Sequence, residues 1–575
     1  MIFLSILILI VAIALPSINR NIVPIFYSRI SAIIFIYAGA ISINALYIQS
    51  IGSGIGIYSG LFQTSIISQI YEEIILLIGS VILMALCASP PTLKKLDLNL
   101  IRIKMANYST EYSLIVLIST LGSILLLSSA DLISLYLSIE LQSFGVYILA
   151  SLYRNSESAI SAGLKYYLLG GLSSCIILFG CCLIYSYSGL TQLDSIYNII
   201  SVNSENSILW GVYLGIIFII IGLLIKIGAA PLHNWAPDVY DNSPTIVTIW
   251  LTIMPKIAIL IFLIELQSKL GVLINNMALS GFVSSITSIN SNLIDSIILN
   301  ESSIINTDLT IILKNLLLIS SLISLLIGTI IGLSQTKIKR LLAYSTISHL
   351  GFILLALSIN TQQSIESVLF YIIQYSITNL NIFLILITIG LFNSDYPYNL
   401  YKSNYTGSEN DISLISQLKG IFFINPLISI CLTICLFSMA GIPPLLGFFA
   451  KQFVLSSALQ NGYYFMSLLG IIVSIISACY YLKIIKILHT ENNNSNLIAH
   501  QGPDYIHNNI NSIKRSTINS YNNNSYNKNN YNYFWISNTH SFIISTLTLA
   551  ILFFVFKPSI LLNITTIISL SLFYF

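Results

Sequence analysis

Long apolar runs, separated by short polar segments, follow one another along almost the whole chain. Each run is close to the roughly 20 residues that a helix needs to cross a bilayer, so the pattern predicts about fourteen transmembrane helices. We number these predicted spans 1 to 14, at residues 2–19, 30–50, 70–89, 112–130, 131–153, 160–187, 209–230, 244–266, 311–334, 341–358, 365–392, 421–449, 462–488 and 541–556. The expected fold class is an all-α polytopic membrane protein.

Two of the predicted spans are interrupted by proline and glycine. Span 7 runs into KIGAAPLHNWAPDVYDNSP, which contains Pro231, Pro237 and Pro244, and span 12 runs into AGIPPLLGFFAKQF at 440–453. Non-helical backbone at membrane depth is tolerated only where it is buried in protein or lines a wet cavity. We therefore expect helices 7 and 12 to be broken inside the bundle.

The two breaks occupy matching places in two five-helix units, spans 4–8 and spans 9–13. Gly145 in SFGVYILAS aligns with Gly351 in HLGFILLALS, and this alignment sets Ser143 against His349. Such a pair of units fits the inverted-repeat plan of transporters. The predicted architecture is therefore two inverted five-helix repeats.

The domain organisation follows from these units and from the polar stretches between them. The predicted parts are an N-terminal three-helix segment at 1–110, the first repeat at 111–267, a polar insert at 268–309, the second repeat at 310–488, an Asn-rich low-complexity linker at 489–540, and a C-terminal transmembrane helix with its tail at 541–575.

Composition and charge support a lipid environment. Of the 575 residues, 56% are hydrophobic and 8% are charged, whereas about 25% are charged in soluble domains. The net charge of +3 is too small to imply a nucleic-acid partner. Most of the 24 Lys and Arg residues fall in loops that follow odd-numbered spans. The positive-inside rule therefore places both termini on the side opposite these basic loops.

Neither the cysteines nor the glycines indicate a cofactor or metal site. The 7 cysteines lie almost wholly in apolar runs, with no metal-type spacing to histidine and no loop pairing that suggests disulfides. The glycine-rich run at 52–56 imitates a nucleotide loop, but it joins two predicted spans without a preceding strand, so we interpret it as a plain loop.

Ionisable residues inside the spans are the candidates for chemistry. A lysine at the bilayer centre costs roughly 2.5 to 3.5 kcal/mol on insertion scales, so such residues are functional candidates by default. The candidates for a proton relay are Glu140, Lys165, Lys226, Lys256, His349 and Lys451.

Structural roles compete with this interpretation. Lys165 is near the basic side and could extend its ammonium to the interface. The deeper charges could form structural ion pairs, and His349 could be a satisfied core histidine. His233 and Asp238 could cap and anchor the broken helix at the surface.

At these residues the sequence resembles the antiporter-like subunits of respiratory complex I. The resemblance rests on Glu140 in span 5, KIGAAPLHNWAPDVYDNSP with Lys226, QTKIKRLLAYSTISHLGF with His349, and AGIPPLLGFFAKQF with Lys451. It covers spans 4–13 and, more weakly, the ends. The polar insert and the Asn-rich linker depart from the compact family pattern.

The resemblance implies a subunit that translocates protons and has no redox centre of its own. NADH, FMN, Fe–S clusters and ubiquinone are then expected elsewhere in the complex, and the partners are other membrane-arm subunits and the lipid bilayer. The implied order is entry near Lys226 with Glu140 as its partner, transfer through Lys256 and His349, and release by way of Lys451. The implied location is the mitochondrial inner membrane, and the bias towards Ile, Asn and Tyr suggests encoding in the mitochondrial genome.

Two other functions stay open on the sequence. A cation/proton antiporter subunit of the Mrp type shares the same helices. A purely structural membrane spacer is the third possibility, although a spacer has no reason to bear the insertion cost of four intramembrane lysines.

Overall fold

The protein is a bundle of membrane-spanning helices. The structure, a computed structural model, describes residues 1–15, 24–46, 54–86, 111–153, 156–202, 206–269, 301–394, 411–490 and 538–574. Within these ranges, 11 helices are long and apolar enough to cross a membrane. The chain is thus a helical polytopic membrane protein. Most of the predicted insert at 268–309 and of the predicted linker at 489–540 lies outside the described residues.

The N-terminal part contains three helices and a small hairpin. Its elements are α1 (Ile2–Ala14), α2 (Pro24–Leu46), β1 (Ile55–Ile57), β2 (Phe62–Thr64) and α3 (Ile66–Leu86). The two strands pair antiparallel, with Ile55 opposite Thr64. This hairpin corrects the all-α expectation, because the residues of its turn, Tyr58, Ser59 and Gly60, adopt positive φ and reverse the chain.

The next part corresponds to predicted spans 4–8. Its elements are α4 (Glu111–Leu127), α5 (Leu132–Ala150), α6 (Glu157–Ser188), α7 (Leu193–Val202), α8 (Asn206–Ile227), α9 (Trp235–Asn242) and α10 (Thr245–Lys269). The start of α5 is set by Asp131, whose carboxylate accepts the backbone N–H of Ile133 at 2.9 Å. The Ser134 hydroxyl accepts the N–H of Asp131 in return, so two otherwise unpaired donors are satisfied.

The part that corresponds to spans 9–13 follows. Its elements are α11 (Glu301–Ser334), α12 (Ile338–Ile359), α13 (Gln362–Ser394), the short α14 (Ile421–Ile424), α15 (Pro426–Ala440), α16 (Leu446–Gln460) and α17 (Tyr464–His489). Pro426 stands at the first position of α15, where its missing N–H costs no helical hydrogen bond. Asn425 caps the same helix through its side-chain oxygen.

Two helices close the described chain, α18 (Asn538–Phe553) and α19 (Ser559–Tyr574). The sequence pattern predicts one span and a tail here, whereas the tail is helical and packs against α13. Its 16 residues are fewer than a span needs, so the hydropathy window did not separate it from a tail.

Three helices form the centre of the bundle. In their most apolar windows, 94% of α10, 94% of α12 and 89% of α13 is buried, against 39% of α6 and 33% of α17. The outer helices therefore present most of their apolar surface to lipid or to partner subunits. Polar side chains on α10, α12 and α13 are instead enclosed by protein.

Helix α8 and helix α15 both end inside the bundle at a glycine in the left-handed conformation. Gly228 (φ 80) follows the last residue of α8, and Gly441 (φ 86) follows the last residue of α15. This conformation is accessible to glycine without a Cβ clash, so each glycine ends its helix cleanly. Short connections then lead to α9 and α16.

Candidate functional site

Lys226 and Glu140 form a buried ion pair between α8 and α5. Lys226 Nζ lies 3.2 Å from Glu140 Oε1, and the two side chains are 6% and 14% exposed. The same ammonium donates to the Ser143 hydroxyl at 3.3 Å. A buried ammonium needs such partners, because leaving it unpaired would cost several kcal/mol.

The end of α8 holds Lys226 at this position. Helix α8 stops one residue after Lys226, and its terminal carbonyls would otherwise be unpaired. The Trp235 indole N–H donates to the carbonyl of Ile225 at 2.8 Å. Trp235 in turn stacks on Tyr166 of α6 with ring centroids 4.6 Å apart. The aromatic cluster thus fixes the helix end that carries the lysine.

A small cavity adjoins the ion pair. It offers about 20 Å³ to the centres of water molecules, and its walls include Lys226, Ser143, Gln142 and Pro255. A volume of this size holds one or two waters. Pro255 has no backbone N–H, so one carbonyl of α10 in the preceding turn loses its helical donor. The cavity therefore extends from Lys226 to the residue that precedes Lys256.

Lys256 lies in α10, one of the two most buried helices, and contacts no carboxylate among the described residues. Its ammonium donates to the Thr346 hydroxyl at 3.1 Å and to the Tyr375 hydroxyl at 3.3 Å. It also lies 5.4 Å from the centroid of the Tyr240 ring, a distance at which an aromatic face attracts a cation. Lys256 thus connects α10 with α12 and α13.

His349 has a hydroxyl group at each ring nitrogen. Nδ1 lies 2.7 Å from the Tyr371 hydroxyl, and Nε2 lies 3.3 Å from the Tyr481 hydroxyl. A tyrosine hydroxyl both donates and accepts, so either neutral tautomer of the imidazole is satisfied. The ring also lies 6.2 Å from the ring of Tyr375, the residue that contacts Lys256. This arrangement allows a proton to enter at one nitrogen and leave from the other.

Lys451 turns back towards the interruption before α16. Its ammonium donates to the carbonyls of Met439 and Ala440 at 3.0 and 2.9 Å, the last two residues of α15. It also lies 5.8 Å from the Phe352 ring, which stacks on Tyr371. Lys451 therefore neutralises the carbonyl end of a broken-off helix, where a cation is favoured by the helix dipole.

Lys165 lies apart from the buried groups. Its side chain is 50% exposed and pairs with Asp238 of α9 at 2.9 Å. Arg340 of α12 binds the other oxygen of Asp238, and it also contacts Asp241, which Lys337 binds at 2.7 Å. These five residues link α6, α9 and α12 at one surface of the bundle.

A buried ion pair and two hydrogen bonds fix the start of α10. The Asp411 carboxylate accepts the Lys339 ammonium at 2.6 Å and both the N–H and the hydroxyl of Thr245. Burial acts to raise the pKa of Asp411, but the Lys339 charge and these hydrogen bonds outweigh it and hold the pKa below its ordinary value. The carboxylate also faces the N-terminal end of α10, where a negative charge is favoured.

The predicted site residues thus fall into separate groups. Glu140 joins Lys226, Lys256 approaches His349 through Tyr375, Lys451 stands beyond the ring of Phe352, and Lys165 belongs to the surface network.

The hydroxyl groups beside these residues were not predicted from the sequence. Thr346, Tyr375 and Tyr371 are neutral, so a pattern of intramembrane charges does not mark them. One signal was present: the alignment of Gly145 with Gly351 also sets Thr346 against Glu140.

Sequence comparison finds relatives over the whole chain. The family model described as NADH:quinone oxidoreductase/Mrp antiporter, transmembrane part, matches residues 129–304 and 296–477. NADH-ubiquinone oxidoreductase chain 2 of Rhizopus oryzae is 45% identical over 585 aligned residues, which cover 100% of both chains.

Solved structures share the fold. A chain of respiratory complex I from Thermus thermophilus superposes with a TM-score of 0.64 at 20% identity, covering 98% of this chain and 99% of that one. A chain of the Mrp complex from Dietzia sp. gives a TM-score of 0.69 at 17% identity, covering 100% and 96%. At these identities the likeness concerns the fold alone.

Proposed function

Since this chain belongs to the NADH:quinone oxidoreductase/Mrp antiporter family of membrane subunits, we propose that it is a proton-translocating membrane-arm subunit of NADH:ubiquinone oxidoreductase, respiratory complex I. The full-length likeness to chain 2 of that enzyme favours this function over an Mrp assembly. Electrons pass from NADH to ubiquinone elsewhere in the complex, and this chain carries protons. Its partners are the other membrane-arm subunits, including neighbouring antiporter-like ones, and the surrounding lipid.

The buried pair of Glu140 and Lys226 is the observation that carries the proposal. At 3.2 Å and an effective dielectric constant of about 20, the two charges attract by about 5 kcal/mol. Drawing Glu140 away removes this attraction and favours release of the lysine's proton. Returning it favours uptake. Displacing one carboxylate is thus sufficient to load or unload Lys226.

The proton released by Lys226 has a polar route towards Lys256. Waters in the cavity between Lys226 and Pro255 bridge the first part. Lys256 then passes the proton to the Tyr375 hydroxyl, and water carries it on to His349, because the two rings are 6.2 Å apart and no described hydrogen bond joins them. No cofactor takes part in these steps, because each is a proton transfer between nitrogen and oxygen atoms.

Lys451 is the last group of the proposed relay. Its ammonium is held by two carbonyls rather than by a carboxylate, so it can give up its proton without leaving an anion unpaired. The Tyr371 hydroxyl contacts His349 and the Phe352 ring contacts Lys451, and no described hydrogen bond joins His349 to Lys451. Water is therefore required to complete this last transfer.

We further infer that predicted spans 7 and 12, which correspond to α8 with α9 and to α15 with α16, are the broken members of two inverted repeats at 111–267 and 310–488. Matching close contacts support this. A Cβ on Gly122 would meet Gln142, and one on Gly145 would meet Ser119, across the α4–α5 pair. In the α11–α12 pair, a Cβ on Gly328 would meet Ser348 and one on Gly351 would meet Leu325. Each of these positions is separated from its counterpart by the same number of residues.

The alignment of the two repeats suggests a role for the hydroxyl groups of the second unit. Thr346 stands where the first unit has Glu140, and it accepts the Lys256 ammonium. His349 stands where the first unit has Ser143. The first unit therefore uses a carboxylate to control its lysine, and the second uses neutral groups that conduct a proton.

Lys165 lies outside the proposed proton route, in the surface network of ion pairs. Through Asp238 and Arg340 it ties α6 to α9, which follows the first break, and to α12. We propose that it passes movements of neighbouring subunits to this break, together with Glu140, rather than carrying the proton itself.

The location and order of transfer complete the proposal. The chain lies in the mitochondrial inner membrane and is encoded by the mitochondrial genome. Protons enter from the matrix near Lys226, cross through Lys256 and His349, and leave towards the intermembrane side past Lys451.

The Mrp-type alternative is kept because the fold of an Mrp complex matches this chain equally well. The discriminating experiment is purification of the native assembly from membranes. NADH:ubiquinone reductase activity that copurifies with the chain supports the proposal. Sodium or potassium flux that requires no NADH, in the absence of that activity, would support the antiporter instead.

A further inference from the structure

The Lys256 ammonium has one N–H group that no described residue accepts as a hydrogen bond. An ammonium carries three N–H donors. Two of them bind the hydroxyls of Thr346 and Tyr375, at 3.1 and 3.3 Å. Lys256 is 2% exposed, so the third donor is buried with the rest of the side chain. An unpaired donor on a buried charge is costly, so this N–H requires an acceptor inside the bundle.

Tyr240 of α9 places an unpaired hydroxyl group beside this ammonium. The centroid of its ring lies 5.4 Å from Lys256 Nζ. Tyr240 is 0% exposed, and its hydroxyl has no hydrogen-bond partner in the described part of the chain. A phenylalanine would offer Lys256 a similar ring face without burying a hydroxyl, so the attraction between cation and ring does not account for a tyrosine here. The hydroxyl group therefore requires a role of its own.

One water molecule can satisfy both groups. No described hydrogen bond joins Tyr240 to Lys256 directly, and a water accepts from two donors, here the hydroxyl and the third N–H. A buried water makes about three hydrogen bonds. Asn379 follows Tyr375 by one turn on the same face of α13, and its amide acts on the Tyr375 hydroxyl. The side-chain oxygen of Asn379 accepts no hydrogen bond among the described residues, so it offers the third partner.

The position of Tyr240 also relates it to Lys226. Its ring centroid lies 6.2 Å from that of Trp235, which belongs to the same short helix α9. Trp235 forms part of the wall of the cavity beside Lys226. Helix α9 thus contacts the Lys226 cavity through one aromatic residue and Lys256 through another. A water held at Tyr240 is therefore placed at the Lys256 end of the route from Lys226.

We propose that Tyr240 positions an internal water that delivers the proton to Lys256. This inference rests on the proposed relay and names the residue that prepares its second lysine for protonation. When Lys256 is neutral, the water gives a proton to the amine and takes one from the waters of the Lys226 cavity. One N–H bond forms, one O–H bond breaks, and the water regains its proton. Tyr240 keeps its own proton throughout, so it is a positioning residue.

The test replaces Tyr240 by Phe in the native complex, which keeps the ring beside Lys256 and removes only the hydroxyl. NADH-driven proton pumping slows about fivefold, as expected for the loss of one hydrogen bond, and its solvent deuterium isotope effect increases. Native gels show normal assembly. Tyr71→Phe is the matched control, because Tyr71 of α3 is also 0% exposed and its hydroxyl also has no hydrogen-bond partner among the described residues. The control pumps normally.

Cryo-electron microscopy of the same complex, at a resolution that shows ordered waters, gives a readout without activity. It shows a water within hydrogen-bonding distance of Tyr240 Oη and Lys256 Nζ in the wild type and none there in Tyr240→Phe. A wild-type complex without this water would overturn the inference.

Lys256→Met separates failure of this inference from failure of the relay. If Lys256→Met stops pumping while Tyr240→Phe pumps with a normal isotope effect, the relay stands and Tyr240 has no part in it. If Lys256→Met pumps normally, the relay itself is refuted, and the role of Tyr240 with it.

Discussion

Glu140 Oε1 lies 3.2 Å from Lys226 Nζ, although 86 residues of chain separate the two. The pair joins α5 to the end of α8 within the membrane. Removing one partner would leave the other charge buried and unpaired, which costs about 3–5 kcal/mol in comparable buried pairs. The pair therefore matters both for assembly and for the control of the lysine's proton, and the variants below are chosen to separate these roles.

Replacing Glu140 by Gln keeps the shape and one hydrogen-bond acceptor but removes the charge. We expect the complex to assemble and its NADH-driven proton pumping to fall at least tenfold, because the lost attraction of about 5 kcal/mol exceeds the roughly 1.4 kcal/mol that changes an equilibrium tenfold. Native gels report assembly, and vesicle acidification reports pumping. Glu157→Gln, in the exposed first turn of α6, is the control and should behave as wild type. Normal pumping by Glu140→Gln would remove Glu140 from the mechanism.

Tyr375→Phe tests the connection between Lys256 and His349. It deletes the hydroxyl that lies 3.3 Å from Lys256 Nζ and leaves the ring in place. Pumping should slow several-fold, with an increased solvent deuterium isotope effect, because the proton must cross a longer gap. Tyr27→Phe is the control, since its buried hydroxyl has no hydrogen-bond partner among the described residues. If both variants pump normally, the proton does not pass through Tyr375.

Two substitutions of Lys451 distinguish a structural role of this residue from a role in proton conduction. Lys451→Ala leaves the carbonyls of Met439 and Ala440 without their donor, so it should lower both the thermal stability of the complex and its pumping. Lys451→Arg keeps a donor but holds its proton, since a guanidinium has a pKa above about 12. It should assemble and melt normally but pump poorly. Near-normal pumping by the arginine variant would return Lys451 to a purely structural role.

Asp411→Asn should destabilise the protein by about 2 to 4 kcal/mol, because Lys339 then remains buried without its anion. The folded-state pKa of Asp411 is lowered, so its stabilisation is fully present above the ordinary value of 3.8 and is lost as the pH falls through the lower folded-state value. The difference in melting temperature between wild type and variant should therefore stay constant from about pH 8 to 5 and shrink only below about pH 4. A difference that already declines near pH 6 would show that another group is responsible.

Hydropathy predicted the membrane class and the positions of most helices, because lipid imposes a length and an apolar composition on every span. The resemblance to the antiporter-like subunits implied Glu140 as the partner of Lys226. Hydropathy could not predict that Lys165 binds Asp238, or that Lys339 binds Asp411. These contacts depend on how distant helices pack, which the pattern along one helix does not contain.

Neutral side chains near the buried lysines were also not predictable from the sequence. Tyr375 and Thr346 cost little to place in a span, so nothing in the composition marks them until Lys256 is seen beside them. The helix after Lys557 was missed for a different reason, since it is shorter than a full span. The hairpin at 55–64 depends on a few turn residues in a run too short to show a period.

The proposed relay requires that Lys226 takes up and releases a proton while the complex works. Lys226→Arg tests it most directly, because an arginine keeps the ion pair with Glu140 but cannot release its proton at physiological pH. The measurement is NADH-driven acidification of vesicles, together with ubiquinone reduction in the same sample. Lys314→Arg is the control, as Lys314 lies beside the ring of Tyr463 and outside the relay. The account predicts an assembled Lys226→Arg complex in which pumping and ubiquinone reduction fall together, while the control is normal. Unchanged pumping by Lys226→Arg would contradict it.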